Sequence, residues 1–193
     1  MILLNPGPVN VSDRVRQALL QPDICHRESE FSELLVDIRQ KWLKAFIPGE
    51  EDEYTAIVLT GSGTAAVEAA LMSSIPLGKR AMVIKNGVYG ERLSSMLMTH
   101  RLGTPDLKYD WGVVPDPQTV DLALKQHPEV HTVAMVHHET TLGLINPVKE
   151  IAEIVDRHNR VFMVDSVSGL GGEALDIAGN KLYLVAKKKK KCI

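Results

Sequence analysis

Three features of this 193-residue chain predict an α/β fold with a largely parallel sheet covered by helices on both faces. From residue 55 onward, short β-branched runs alternate with helical stretches. The runs are nearly continuous in apolar residues, as strands buried on both faces must be. Motifs rich in glycine, hydroxyl or acid side chains sit where those runs end. The spacing predicts strands at residues 55–60, 81–85, 132–137, 161–165 and 182–186, and helices at 64–72, 89–100, 117–126 and 147–158. In sheets of this kind, ligands gather beyond the carboxyl ends of the strands.

Before the first predicted strand, Asn5-Pro6-Gly7-Pro8 marks an irregular start. Ser12 can cap a short helix carrying Val15, Ala18 and Leu19, and Pro22 ends it. A second helix is predicted from Phe31, Leu34, Leu35, Ile38 and Trp42, which fall on one stripe expected to be buried; Pro48-Gly49 stops it.

Composition narrows the function. With 45% hydrophobic residues the chain can bury a sizeable core, and one domain, or most of one, is expected. The formal charge of -2 calls for no nucleic-acid or membrane surface, so a small polar metabolite is the easier partner. Cys25 and Cys192 lack the spacing of a zinc or redox motif and fit a reducing, cytoplasmic setting. No export signal or membrane anchor is expected, and no metal site.

The motifs at the strand ends carry the chemistry. Thr60-Gly61-Ser62-Gly63-Thr64 follows a strand and opens a helix, which leaves two readings open. Its amides and hydroxyls can cradle a phosphate, or it is a tight turn with Ser62 or Thr64 as the helix cap. Ala66 denies it the third glycine of a dinucleotide fingerprint, and it lacks the lysine of a P-loop. In Asn86-Gly87-Val88-Tyr89-Gly90-Glu91-Arg92, the glycines beside Tyr89 would let its ring lie against a planar ligand; the alternative is a turn followed by a half-buried tyrosine. His137 and His138 are adjacent on a strand and point to opposite faces, so they cannot easily share a metal, and a structural role is expected for both. Val164-Asp165-Ser166-Val167-Ser168-Gly169 closes an apolar run with an acid. Buried there, Asp165 needs a cation such as a protonated pyridine nitrogen, or else it caps the following turn.

Taken in order, Leu3-Leu4-Asn5-Pro6-Gly7-Pro8-Val9, Gly61-Ser62-Gly63-Thr64, Asn86-Gly87-Val88-Tyr89-Gly90, His138-Glu139-Thr140-Thr141 and Val164 through Gly172 resemble the class V, fold-type I aminotransferases that use pyridoxal 5'-phosphate (PLP). Pro22-Asp23-Ile24-Cys25-His26-Arg27-Glu28 is more similar to the aminoethylphosphonate branch. The resemblance implies a three-layer α/β/α large domain of a PLP-dependent transferase, with the C-terminal small domain absent. On that reading residues 1–20 form an N-terminal arm and short helix, 21–186 the incomplete PLP-binding domain, and 187–193 a lysine-rich tail.

It also implies roles. Ser62, Gly63 and Thr64 would hold the cofactor phosphate, Tyr89 would stack on the ring, and Thr140 would approach its 3-hydroxyl. Asp165 would pair with the ring nitrogen and Val167 would pack beneath it. Lys191, picked by counting back from Cys192, would bind the cofactor covalently, and with Asp165 it makes the catalytic set. The implied reaction transfers the amino group of 2-aminoethylphosphonate to pyruvate, in a homodimer. Alanine–glyoxylate or serine–pyruvate transamination stays open, as does a non-catalytic α/β remnant. Leu142 stands where the family usually has a hydroxyl residue.

Overall fold

The computed structural model describes residues 2–5, 7 and 9–186, which group into two compact units dividing between Thr60 and Gly61. In the first unit, α1 (Asp13–Ala18) starts where Ser12 Oγ accepts the Val15 amide at 3.4 Å. The next helix, α2 (Ser29–Phe46), follows the expected apolar spacing, but its stripe is not buried: Phe31, Leu35, Ile38 and Trp42 are half-buried and Leu34 is exposed. Within its own unit the helix meets a 3-10 turn at Glu51–Glu53 and stacks Trp42 edge-on to Phe46 at 5.6 Å, too little surface to cover the stripe.

Residues 55–60 correct the sequence reading. They form no ladder with any described strand, and Ile57, Val58 and Leu59 are exposed. Their β-branched composition favours an extended backbone, but a strand also requires a neighbour to take up its amides and carbonyls.

Among the described residues, the second unit is built on a five-stranded parallel sheet. Its strands are β1 (Arg80–Lys85), β2 (Leu107–Lys108), β3 (Val130–Val136), β6 (Val161–Asp165) and β7 (Leu184–Ala186), in the order β2-β1-β3-β6-β7. A small antiparallel pair, β4 (His138–Glu139) with β5 (Leu144–Ile145), follows β3. Four of the five predicted strands, those near 81, 132, 161 and 182, are present with small shifts at their ends. The strand at Leu107–Lys108 and the β4–β5 hairpin were not predicted, because two-residue strands leave no alternation to read.

Helices cover both faces. On one, α3 (Gly63–Ser73) and α4 (Val88–Thr99) bury Val67, Leu71, Leu93, Met96 and Leu97 against Ala81, Val83, Ala134, Val136, Met163 and Ala186. On the other, α6 (Val148–Arg157) packs on β6 beside α5 (Pro117–Gln126), burying Ile151, Val155, Val120 and Leu124. Strand side chains alternate between faces, so Asp165, two residues after Met163, belongs to the α3/α4 face. The ladders fix its depth: Asp165 is in register with Val136 on one side and Ala186 on the other.

Candidate cofactor site

Every described site residue predicted from sequence lies at or just beyond the carboxyl edge of this sheet or at the start of α3 or α4, within the second unit. At α3, Ser62 is the N-cap and its Oγ accepts the Ala65 amide at 3.1 Å, so the capping reading holds for Ser62. The amides of Gly63 and Thr64 have no acceptor among the described residues, and they point out of the positive end of the helix. Gly63 is buried, whereas Ser62 and Thr64 are exposed. The turn therefore caps its helix and still offers two amides to an anion.

Arg92, one turn into α4, reaches back to this turn, its guanidinium 3.5 Å from Thr64 Oγ1. The same group lies over the Tyr89 ring, 5.0 Å from the centroid. Tyr89 is half-buried and packs on the α3/α4 core cluster, as does Val167 from beyond β6. Both are thus on the face to which Asp165 belongs.

The glycines flanking Tyr89 are required for a reason other than the one read from sequence. A Cβ on Gly87 would lie 2.5 Å from Glu139 Cδ, and one on Gly90 would lie 2.8 Å from Lys85 Cβ. The space they leave is filled by those two side chains. Glu139 Oε2 accepts the Tyr89 and Gly90 amides at 3.0 and 3.3 Å, and Oε1 accepts Thr141 Oγ1 at 2.7 Å. Neither Glu139 nor Arg92 had been given a role from the sequence, because each acts across a long stretch of chain. The glycine spacing around Tyr89 was the signal available.

Thr140 is half-buried in the connection between β4 and β5, where Gly143 takes a positive φ of 67°. His137 is buried and His138 half-buried. His137 shares a 3.0 Å hydrogen bond with Ser166 Oγ and is held below the usual histidine range by burial. The carbonyl of His138 accepts Ser168 Oγ at 3.2 Å. Among the described residues no cluster of three metal-ligating side chains occurs. No helix among them is long and apolar enough to cross a membrane.

Asp165 is 8% exposed, and its Oδ1 accepts the Val167 amide at 3.0 Å. Among the described residues Asp165 takes part in no ion pair. Burial raises its pKa to about 6; the Val167 amide opposes this, Glu139 adds to it, and the more distant Arg92 weakly opposes it. A buried carboxylate with one donor and no paired cation among the described residues suits a ligand that brings a positive charge. Free amides at Gly63 and Thr64 suit one that also brings a phosphate. The residues present therefore fit PLP. Lys191 lies outside the described residues.

Comparison with known proteins agrees with this geometry. The family description Aminotransferase class-V matches residues 16–189. A 2-aminoethylphosphonate–pyruvate transaminase from Syntrophobacter fumaroxidans is 38% identical over 194 residues, covering 100% of this chain and 51% of that protein. The chain spans about half the length of the curated relatives it matches. Among solved structures, pyridoxamine–pyruvate aminotransferase from Mesorhizobium loti superposes with a TM-score of 0.85 at 28% identity, over 97% of this chain and 47% of that one. Alanine–glyoxylate aminotransferase from Nostoc sp. gives 0.83 at 27% identity, over 95% and 48%. With its sheet order, its strand-end motifs and a family match running nearly its whole length, the chain belongs to the class-V aminotransferases, a family of PLP-dependent enzymes.

Proposed function

We propose that this chain is the cofactor-binding part of a transaminase that moves the amino group of 2-aminoethylphosphonate to pyruvate, giving phosphonoacetaldehyde and L-alanine. The observation that carries the reading is Asp165, a buried acid at the carboxyl edge of a parallel sheet with no paired cation among the described residues. When bound, PLP supplies an electron sink for negative charge at the donor carbon.

The chain's own residues would do the rest. Ser62, Gly63 and Thr64 hold the phosphate, with the free first-turn amides of α3 as donors. Tyr89 covers one side of the ring and Val167 the other, while Thr140 meets the 3-hydroxyl. Asp165 keeps a proton on the ring nitrogen, since a charge held in a dry setting is stabilised by its opposite. The Lys191 amine binds the cofactor and then carries a proton between the donor carbon and the cofactor's C4'.

Residues 21–186 make up the large domain on this reading, 1–20 an arm, and 187–193 a basic tail that brings Lys191. The working protein is a cytoplasmic homodimer. The aminoethylphosphonate donor is supported by the 38% identical relative, and an alanine–glyoxylate type reaction by the likeness to the Nostoc enzyme.

An amino-donor panel separates them. With PLP bound, 2-aminoethylphosphonate should shift the visible absorbance, while serine should leave it unchanged. The panel is run on this chain and on one extended by a family-like C-terminal half. Lys191→Ala should abolish the donor-induced shift. A response to serine and none to 2-aminoethylphosphonate in the extended chain would overturn the donor assignment.

A further inference from the structure

Glu139 has no exposed surface, yet nothing in the reaction outlined above uses it. Burying a carboxylate is costly unless donors meet it, and here three do: the Tyr89 and Gly90 amides at one oxygen and Thr141 Oγ1 at the other. The N-cap of α4 is Gly87, which has no side chain to offer its first turn. Glu139, 50 residues away in sequence from Tyr89, fills that role from the end of β4, and its charge lies at the positive end of the helix. Gly87 is glycine because any Cβ would strike this carboxylate.

We propose that Glu139 is a positioning residue of the cofactor site: it locks the first turn of α4 so that Tyr89 is held at the ring position, and from β4, which follows the β3 end in register with Asp165, it places a second carboxylate at the same sheet edge, favouring a cationic ring over a neutral one. This rests on the PLP reading above, since both effects need a ring between Tyr89 and Asp165. The surrounding charges support it. Glu139 pushes Asp165 upward and Arg92 on α4 opposes it. Ionisable groups on the surrounding elements have partners of their own: Glu91 of α4 accepts Trp111 Nε1 at 3.1 Å, Glu68 of α3 is paired with His100, Lys85 of β1 is paired with Asp106, and His137 is bonded to Ser166, while His138 stands beside Glu139 on β4. β6 and β7 bring no other charged side chain to that edge.

Two substitutions separate charge from anchorage. Glu139→Gln keeps an acceptor for the Tyr89 amide and removes the charge, whereas Glu139→Asp keeps the charge and shortens the reach. The probe is pyridoxamine 5'-phosphate, which shares the ring and phosphate of PLP but cannot react with the lysines. Its affinity is read by protein fluorescence between pH 5 and 8, and the Asp165 midpoint is read by carbon-13 carboxyl NMR on the ligand-free 193-residue chain.

Glu139→Gln should lower the Asp165 midpoint and weaken pyridoxamine 5'-phosphate roughly three- to tenfold at pH 8. Glu139→Asp should leave the midpoint raised and weaken the ligand by a similar factor. A purely structural glutamate would leave the midpoint in place in Glu139→Gln, and that result would overturn the proposal. Should Glu139→Gln fail to fold, Glu139→Asp still decides, because a midpoint falling to the ordinary carboxylate range there contradicts a charge effect. If the unaltered chain binds no pyridoxamine 5'-phosphate at any pH, the PLP reading fails and the Glu139 proposal falls with it, whereas an unmoved midpoint in Glu139→Gln with ligand binding intact overturns the Glu139 proposal alone.

Discussion

Asp165 is poised between two states, and its environment sets which one is stable. Its raised pKa means the folded chain binds a proton more readily than the unfolded one. The stability this contributes is fully present below the ordinary value of 3.8 and is lost as pH rises through about 6. Asp165→Asn should therefore raise the melting temperature of the ligand-free chain at pH 7.5, by the equivalent of about 1–3 kcal/mol, with the gap closing as pH falls toward 4. The same variant should lose most of the stabilisation that pyridoxamine 5'-phosphate gives the unaltered chain. Thermal melts across pH, with and without ligand, check both halves, and a variant that still gains full ligand stabilisation would contradict the pairing. Asp165 was legible in sequence because an acid closing an apolar run breaks the pattern of the strand. Glu139 was not, since its partners are the Tyr89 and Gly90 amides, and backbone groups leave no trace in side-chain composition.

At the level of elements, polar contacts tie the strand ends together beyond the ladder bonds. Lys85 at the end of β1 pairs with Asp106 at 2.6 Å, and Ser94 of α4 donates to the same Asp106 oxygen. Both charged partners are less than a fifth exposed. Asp106→Ala should cost on the order of 2–3 kcal/mol in a urea melt, because it leaves Lys85 partly buried without its counter-charge. The matched change of Lys41, whose pair with Asp37 is exposed, should cost under about 1 kcal/mol. A buried amide pair works in the same way: Asn86 Nδ2 donates to Asn146 Oδ1 at 2.8 Å and to the Val113 carbonyl at 2.9 Å, joining the loop after β1 to the one after β5. Sequence periodicity found α5 and β6 at their observed bounds, since each carries its own cap or apolar run. It failed at residues 55–60, where local preference is clear but pairing depends on a neighbour that no local pattern encodes.

At the scale of the whole sheet, β3 and β1 are flanked by strands on both sides, whereas β2 and β7 are the edges among the described strands. Amide hydrogen exchange should be slowest at Val133, Ala134 and Met135, which are fully buried and open only with global unfolding, and fastest at β2 and β7. Equal protection across all five strands would show that the sheet opens only as one unit. The strand order has a further consequence for how the chain is made. The Ser166 amide, next to Asp165, bonds the Ala186 carbonyl at 3.0 Å. β7 is also the last described strand in sequence, although it lies directly against β6. During synthesis, the strand that carries the acid proposed to receive the cofactor thus lacks its β7 neighbour until Ala186 has left the ribosome, and coenzyme meeting a nascent chain before that moment would find the Ser166 amide without its Ala186 partner.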